Sequence, residues 1–94
     1  MRNYEVIVIL NPELEESAVT ALIEKIKGWI VESGGAVSQV DMWGKRRMAY
    51  LIRKQREGQY VLLHAQFAPA FAADLERNLR FQEVILRFLI SNVE

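Results

Sequence analysis

The sequence predicts an α+β chain whose four strands form one antiparallel sheet, with two helices packed on a single face. Three observations carry that expectation. Four stretches, 2–10, 36–52, 60–67 and 84–90, are rich in β-branched and aromatic residues. Two others repeat apolar residues at three- and four-residue spacing, the mark of an amphipathic helix. Ninety-four residues suffice for one modest core and are too few for two, so residues 1–94 are expected to form a single domain.

The first strand, Arg2 to Leu10, alternates Tyr4, Val6, Val8 and Leu10 on one face with Glu5, Ile7 and Ile9 on the other. Asn11-Pro12 stops it, because proline cannot donate to a ladder. That pair is one candidate cap for the first helix and Ser17 is another. The helix stripe is Val19, Leu22, Ile23, Ile26, Trp29 and Ile30, and Gly34-Gly35 is expected to end it. Ala36 to Ile52 reads as one long strand with a bulge at Gly44. Gln55 to Gly58 is expected to be the turn into a second strand of the hairpin, Tyr60 to Phe67. Pro69 marks a helix start, and Phe71, Leu75 and Leu79 give a short helix ending near Arg80. In the last strand Val84, Leu86, Phe88 and Ile90 are expected inward, with Ile85, Arg87 and Leu89 outward. The order strand, helix, strand, strand, helix, strand is the βαββαβ, or ferredoxin-like split β-α-β, arrangement. It leaves the second sheet face without a helix. That face should carry Ile7, Ile9, Tyr60, Leu62, Ile85 and Leu89, a patch that a monomer does not normally leave in water.

Charge is balanced overall, with twelve basic and twelve acidic residues, but it is unevenly placed. Residues 13–32 hold Glu13, Glu15, Glu16, Glu24 and Glu32 against two lysines. Residues 45–56 hold Lys45, Arg46, Arg47, Arg53, Lys54 and Arg56 with no acid. A neutral protein can therefore present a basic edge. Within 45–56, period two would put Met48, Tyr50 and Ile52 on one face of the strand. Cations around a buried anchor suit contact with phosphates; the alternative is a solvated edge whose charges only prevent pairing between sheets. Asp41 is the one charge between Val37 and Trp43, and it could serve that protective purpose or pair with a cation of a partner.

Catalysis finds little support. His64 is the single histidine and falls within a strand, where a structural, half-exposed residue is the simpler reading. There is no cysteine, no metal-ligand spacing and no assembly of nucleophile, base and orienting group. No cofactor, metal or small-molecule substrate is expected. The first loop, Leu10 to Glu16, is acidic where a phosphate-binding enzyme of this fold would need a glycine-rich anion loop. Absence of cysteine fits a reducing compartment. Arg2 followed by a short apolar run does not read as a signal peptide, and no stretch approaches the ~20 apolar residues of a membrane span. The outward positions of the central strands are mostly Ile and Leu rather than stacking aromatics. RNA is therefore expected at the edges and protein on the apolar face.

Gly44-Lys45-Arg46-Arg47-Met48-Ala49-Tyr50-Leu51-Ile52-Arg53-Lys54 resembles the family of protein six of the bacterial small ribosomal subunit. The likeness extends through Met1-Arg2-Asn3-Tyr4-Glu5, Leu10-Asn11-Pro12 and Leu79-Arg80-Phe81 to Arg87. Met48 stands where leucine is usual, Leu51 where proline is frequent, and the chain stops at Glu94, short of the acidic tail of some members. The resemblance implies a cytoplasmic, nonenzymatic protein of the ribosome with the split fold. It further implies binding to small-subunit (16S) ribosomal RNA together with ribosomal protein eighteen. RNA-facing residues would be Arg2, Lys45, Arg46, Arg47, Arg53, Lys54, Arg56, Arg80 and Arg87. The protein partner would meet Ile7, Ile9, Asp41, Trp43, Tyr60, Leu62, Ile85 and Leu89. The alternative is a small regulatory or oligomerisation module that pairs through its sheet, which accounts for the apolar face but not for the basic run.

Overall fold

The computed structural model describes residues 1–93. Strand β1 (Arg2–Leu10) leads to helix α1 (Glu16–Glu32). Strands β2 (Ala36–Ile52) and β3 (Gln55–Phe67) form the hairpin, followed by helix α2 (Phe71–Arg80) and strand β4 (Ile85–Asn92). The sheet order is β2-β3-β1-β4 and every pair is antiparallel. The expected architecture is thus observed, with β2 and β4 as the two edges.

Alternation decides which side chains enter the core. Tyr4, Val6, Val8 and Leu10 of β1 are buried with Val61, Leu63, Ala65 and Phe67 of β3. Both helices close over them, α1 through Val19, Leu22, Ile23, Ile26 and Ile30, α2 through Leu75 and Leu79. Phe67 is fully buried, stacked on Tyr4 at 4.1 Å and edge-on to Phe71 at 5.5 Å. Helix α1 ends as its glycines require. Gly34 takes a φ of +94°, and Gly35 crosses so close to β3 that a Cβ there would lie 2.3 Å from the carbonyl oxygen of Gln66.

Several expectations are corrected. The hairpin turn is Arg53-Lys54, both left-handed at φ 49° and 67°, and Gln55 to Gly58 belong to β3. Gly58 is buried inside the strand, where a Cβ would lie 2.4 Å from Ile9 Cγ2 and 3.7 Å from Met48 Sδ. Helix α1 begins at Glu16, so neither Asn11 nor Ser17 is its cap. Asn11 Oδ1 instead accepts the backbone N–H of Glu13 at 2.9 Å, closing a side-chain turn. Ile85, expected on the open face, is core. It pairs with Leu10, because a register shift beside Ile9 and Leu10 reverses the phase at the start of β4. Leu86, expected inward, is 9% exposed but lies outside the core cluster. Finally, Met48 and Tyr50 do not share an environment: the ladder is broken between Arg47 and Ile52, leaving Met48 buried and Tyr50 60% exposed.

Candidate nucleic-acid and partner interface

The basic run forms an arm, the part of the hairpin that projects past Leu10 of β1 and Gln59 of β3. Gly44, at φ +77°, sits at the bulge that re-aims β2 into the arm. Beside it Trp43 lies nearly parallel to Tyr60, ring centres 6.2 Å apart, and the Arg46 guanidinium covers the Trp43 ring at 5.4 Å. Lys45, Arg46, Arg47, Arg53, Lys54 and Arg56 are all exposed. Among the described residues, Lys45, Arg47, Lys54 and Arg56 make no ion pair or side-chain hydrogen bond. Their charge is available to a ligand.

The tip of the arm returns to the body. Arg53 Nη1 donates to the Glu83 carbonyl at 3.1 Å. Arg87, on β4, donates to the Tyr50 hydroxyl and lies 6.0 Å from its ring centre. Arg80, at the end of α2, pairs with Glu76. Arg53, Arg80 and Arg87 thereby line one groove of about 420 Å³ between α2, β4 and the arm. Sequence separation hides this convergence; only the topology makes it. Arg2 stands apart, paired in register with Phe67 at the far end of β1.

The open face reads as rows across the strands. Nearest the arm, Tyr60, Ile9 and Arg87 lie side by side. The middle row is Asp41, Leu62, Ile7 and Leu89. The third is Gln39, His64, Glu5 and Ser91. Ile7 and Ile9 are half-buried, Leu89 is 57% exposed, and Leu62 is already reduced to 8% by its neighbours, so it adds little surface. The expected apolar patch exists without Ile85. A feature that sequence reasoning misses is that His64 stands between two carboxylates, its Nδ1 3.7 Å from Glu5 and its Nε2 3.5 Å from Asp41. Among the described residues no cluster of His, Cys, Asp or Glu fits a metal ion, and no helix is long and apolar enough to cross a membrane.

Known proteins share this architecture. The family model described as Ribosomal protein S6 matches residues 3–92. Small ribosomal subunit protein bS6 of Moorella thermoacetica is 49% identical over the whole chain and 96% of its own length. The corresponding protein of Clostridium novyi is 47% identical, over the whole chain and 99% of its length. Among solved structures, 30S ribosomal protein S6 of Thermotoga maritima superposes with a TM-score of 0.92 at 29% identity, covering 98% of this chain and 87% of that one. A chemotaxis kinase CheA P2 domain from Thermotoga maritima also superposes, with a TM-score of 0.63. At 18% identity it shares only the fold. A match along nearly the full length, in sequence and in topology, places the chain in the ribosomal protein S6 family, as a structural protein of the small ribosomal subunit rather than an enzyme.

Proposed function

We propose that this protein binds small-subunit (16S) ribosomal RNA jointly with ribosomal protein eighteen, each partner on its own surface. The observation that carries this reading is the separation of two surfaces within one sheet. The arm holds exposed cations with no internal partner, and the open face holds half-exposed Ile7, Ile9 and Leu89. Phosphates are neutralised by the first kind of surface. The second gains from apolar burial against another protein. Lys45, Arg46, Arg47, Lys54 and Arg56 supply the arm's charge, and the groove of Arg53, Arg80 and Arg87 extends it toward β4.

Zero net charge and a short cationic arm mean that few phosphates are neutralised by this chain alone. Affinity for RNA should therefore be weak by itself and rise when protein eighteen is present. Titrating the RNA with each protein singly and then with both tests it. Equal affinity with and without protein eighteen refutes joint binding.

A further inference from the structure

On the reading that the groove of Arg53, Arg80 and Arg87 takes RNA phosphates, we propose that Tyr50 is a positioning residue that latches the arm to β4. Its hydroxyl holds Arg87, while the Glu83 carbonyl holds Arg53. The three arginines then form one cationic surface only while the arm is latched.

The end of the arm is poorly held by the hairpin itself. The ladder lapses between Arg47 and Ile52, so Met48 to Leu51 have no register partner on β3. Beyond the lapse, the hairpin closes through Ile52 opposite Gln55 and through the left-handed pair Arg53 and Lys54. Non-glycine residues keep that conformation only where their surroundings impose it. Apolar burial adds little, since Met48 is the one buried side chain from 45 to 56. Tyr50 and Leu51 are 60% and 57% exposed. A segment with so few buried contacts and unpaired backbone lies at the low-stability end of a fold. Contacts with the body supply what the ladder lacks. Tyr50 meets Arg87 through both its hydroxyl and its ring, and Arg53 reaches the carbonyl just before β4. On the body side, Leu86 is buried without belonging to the core cluster, and it lines the groove together with Arg53.

The chemistry of the acceptors decides what such a latch does. Arg80 pairs with the Glu76 carboxylate, which offsets its charge. Arg53 and Arg87 donate instead to a backbone carbonyl and a hydroxyl, neither of them charged. Among the described residues no acid pairs with either guanidinium. A guanidinium carries several N–H donors, and each latch bond uses a single one. The latch therefore fixes direction and leaves the charge and the remaining donors to a phosphate. Cations held in place beforehand lose less freedom on binding. An unlatched arm carries the same cations, but binding must first gather them, which lowers apparent affinity.

Two measurements test the proposal, and the first needs no RNA. Trypsin cleavage after Arg53 and Lys54 of the free chain reads the unlatched population, because a closed left-handed turn does not fit a protease cleft. Tyr50→Phe, which loses only the hydroxyl, should be cut roughly three- to tenfold faster than the parent. Tyr50→Ala should be cut faster still, and Arg87→Met as fast as Tyr50→Ala. Adding Tyr50→Phe to Arg87→Met should change nothing more, because both remove the same contact. Thermal unfolding of Tyr50→Phe should match that of the parent. The second measurement is RNA affinity with protein eighteen present, at low and high salt. Tyr50→Phe keeps every cation, so affinity should fall about twofold or more with an unchanged salt slope. Arg87→Met should make the slope shallower. Equal cleavage of parent and Tyr50→Phe overturns the latch, as do additive effects of Tyr50→Phe and Arg87→Met. Faster cleavage with unchanged RNA affinity overturns the positioning role. A parent that binds no RNA ends the reading of the groove and the positioning role with it, and the cleavage series separates that failure from a failed latch.

Discussion

The two faces of the sheet are built from the same strands by the same alternation, yet they end in opposite states. On the helix side, Val6, Val8, Leu63, Ala65 and Phe67 are completely withdrawn from solvent. On the other side Ile7 and Ile9 stay half-buried and Leu89 mostly exposed, although each lies one residue from an inward-facing position. Hydrophobicity alone does not separate the two sets. The difference is the cover: two amphipathic helices close the first face, while the arm reaches only the margin of the second, bringing Met48 beside Gly58 and Tyr50 to Arg87. Apolar side chains on the closed face hold the fold together, and those on the open face are available to bind.

Substitutions on each side test that contrast. Phe67→Ala should have the largest effect on stability, about 3–5 kcal/mol in urea denaturation, because it empties a site packed by Tyr4 and Phe71. Gly35→Ala comes next, with a loss of about 1–3 kcal/mol, since the new methyl meets the fixed carbonyl of Gln66. Leu89→Ala, an equally apolar truncation on the open face, should change stability by less than ~0.5 kcal/mol. Its effect should instead appear as weaker binding of protein eighteen in titration calorimetry. A large loss of stability from Leu89→Ala would mean that the open face is structural after all.

The arm gives the smallest effect on the fold. Arg46 and Arg47 are exposed and join no ion pair with an acid among the described residues, so Arg46→Ala/Arg47→Ala should alter stability by less than ~0.5 kcal/mol. Assembly with RNA and protein eighteen should weaken, and the slope of log affinity against log salt should become shallower by roughly one for each phosphate that is no longer neutralised. Unchanged assembly with a lower melting temperature would identify the arginines as structural.

How much of this is legible in the sequence depends on whether a feature is local. Strand alternation in β1 and β3, the stripe of α1 and the glycine stop at Gly34 are written in neighbouring residues, and each is observed as expected. The turn is misplaced in the sequence reading because Gly58 resembles a turn glycine, whereas its hydrogen side chain serves the close approach of Ile9. Arg53 and Lys54 carry no such signal, and their left-handed conformation is imposed by the hairpin they close. Ile85 is misplaced because one register shift reverses a strand's phase, and a shift depends on the partner strand. The convergence of Arg53, Arg80 and Arg87, and the placing of His64 between Glu5 and Asp41, require the strand order and register together.

The central claim is that one sheet serves two partners on separate surfaces, and backbone hydrogen exchange in the binary and ternary complexes tests it most directly. With protein eighteen alone, protection should rise along β1, β3 and β4 around Ile7, Leu62 and Leu89, while Lys45 to Arg56 exchange as in the free chain. Adding RNA should then protect the arm without releasing the open face. Protection of the arm by protein eighteen alone, or loss of open-face protection when RNA binds, would contradict the division of the sheet between its two partners.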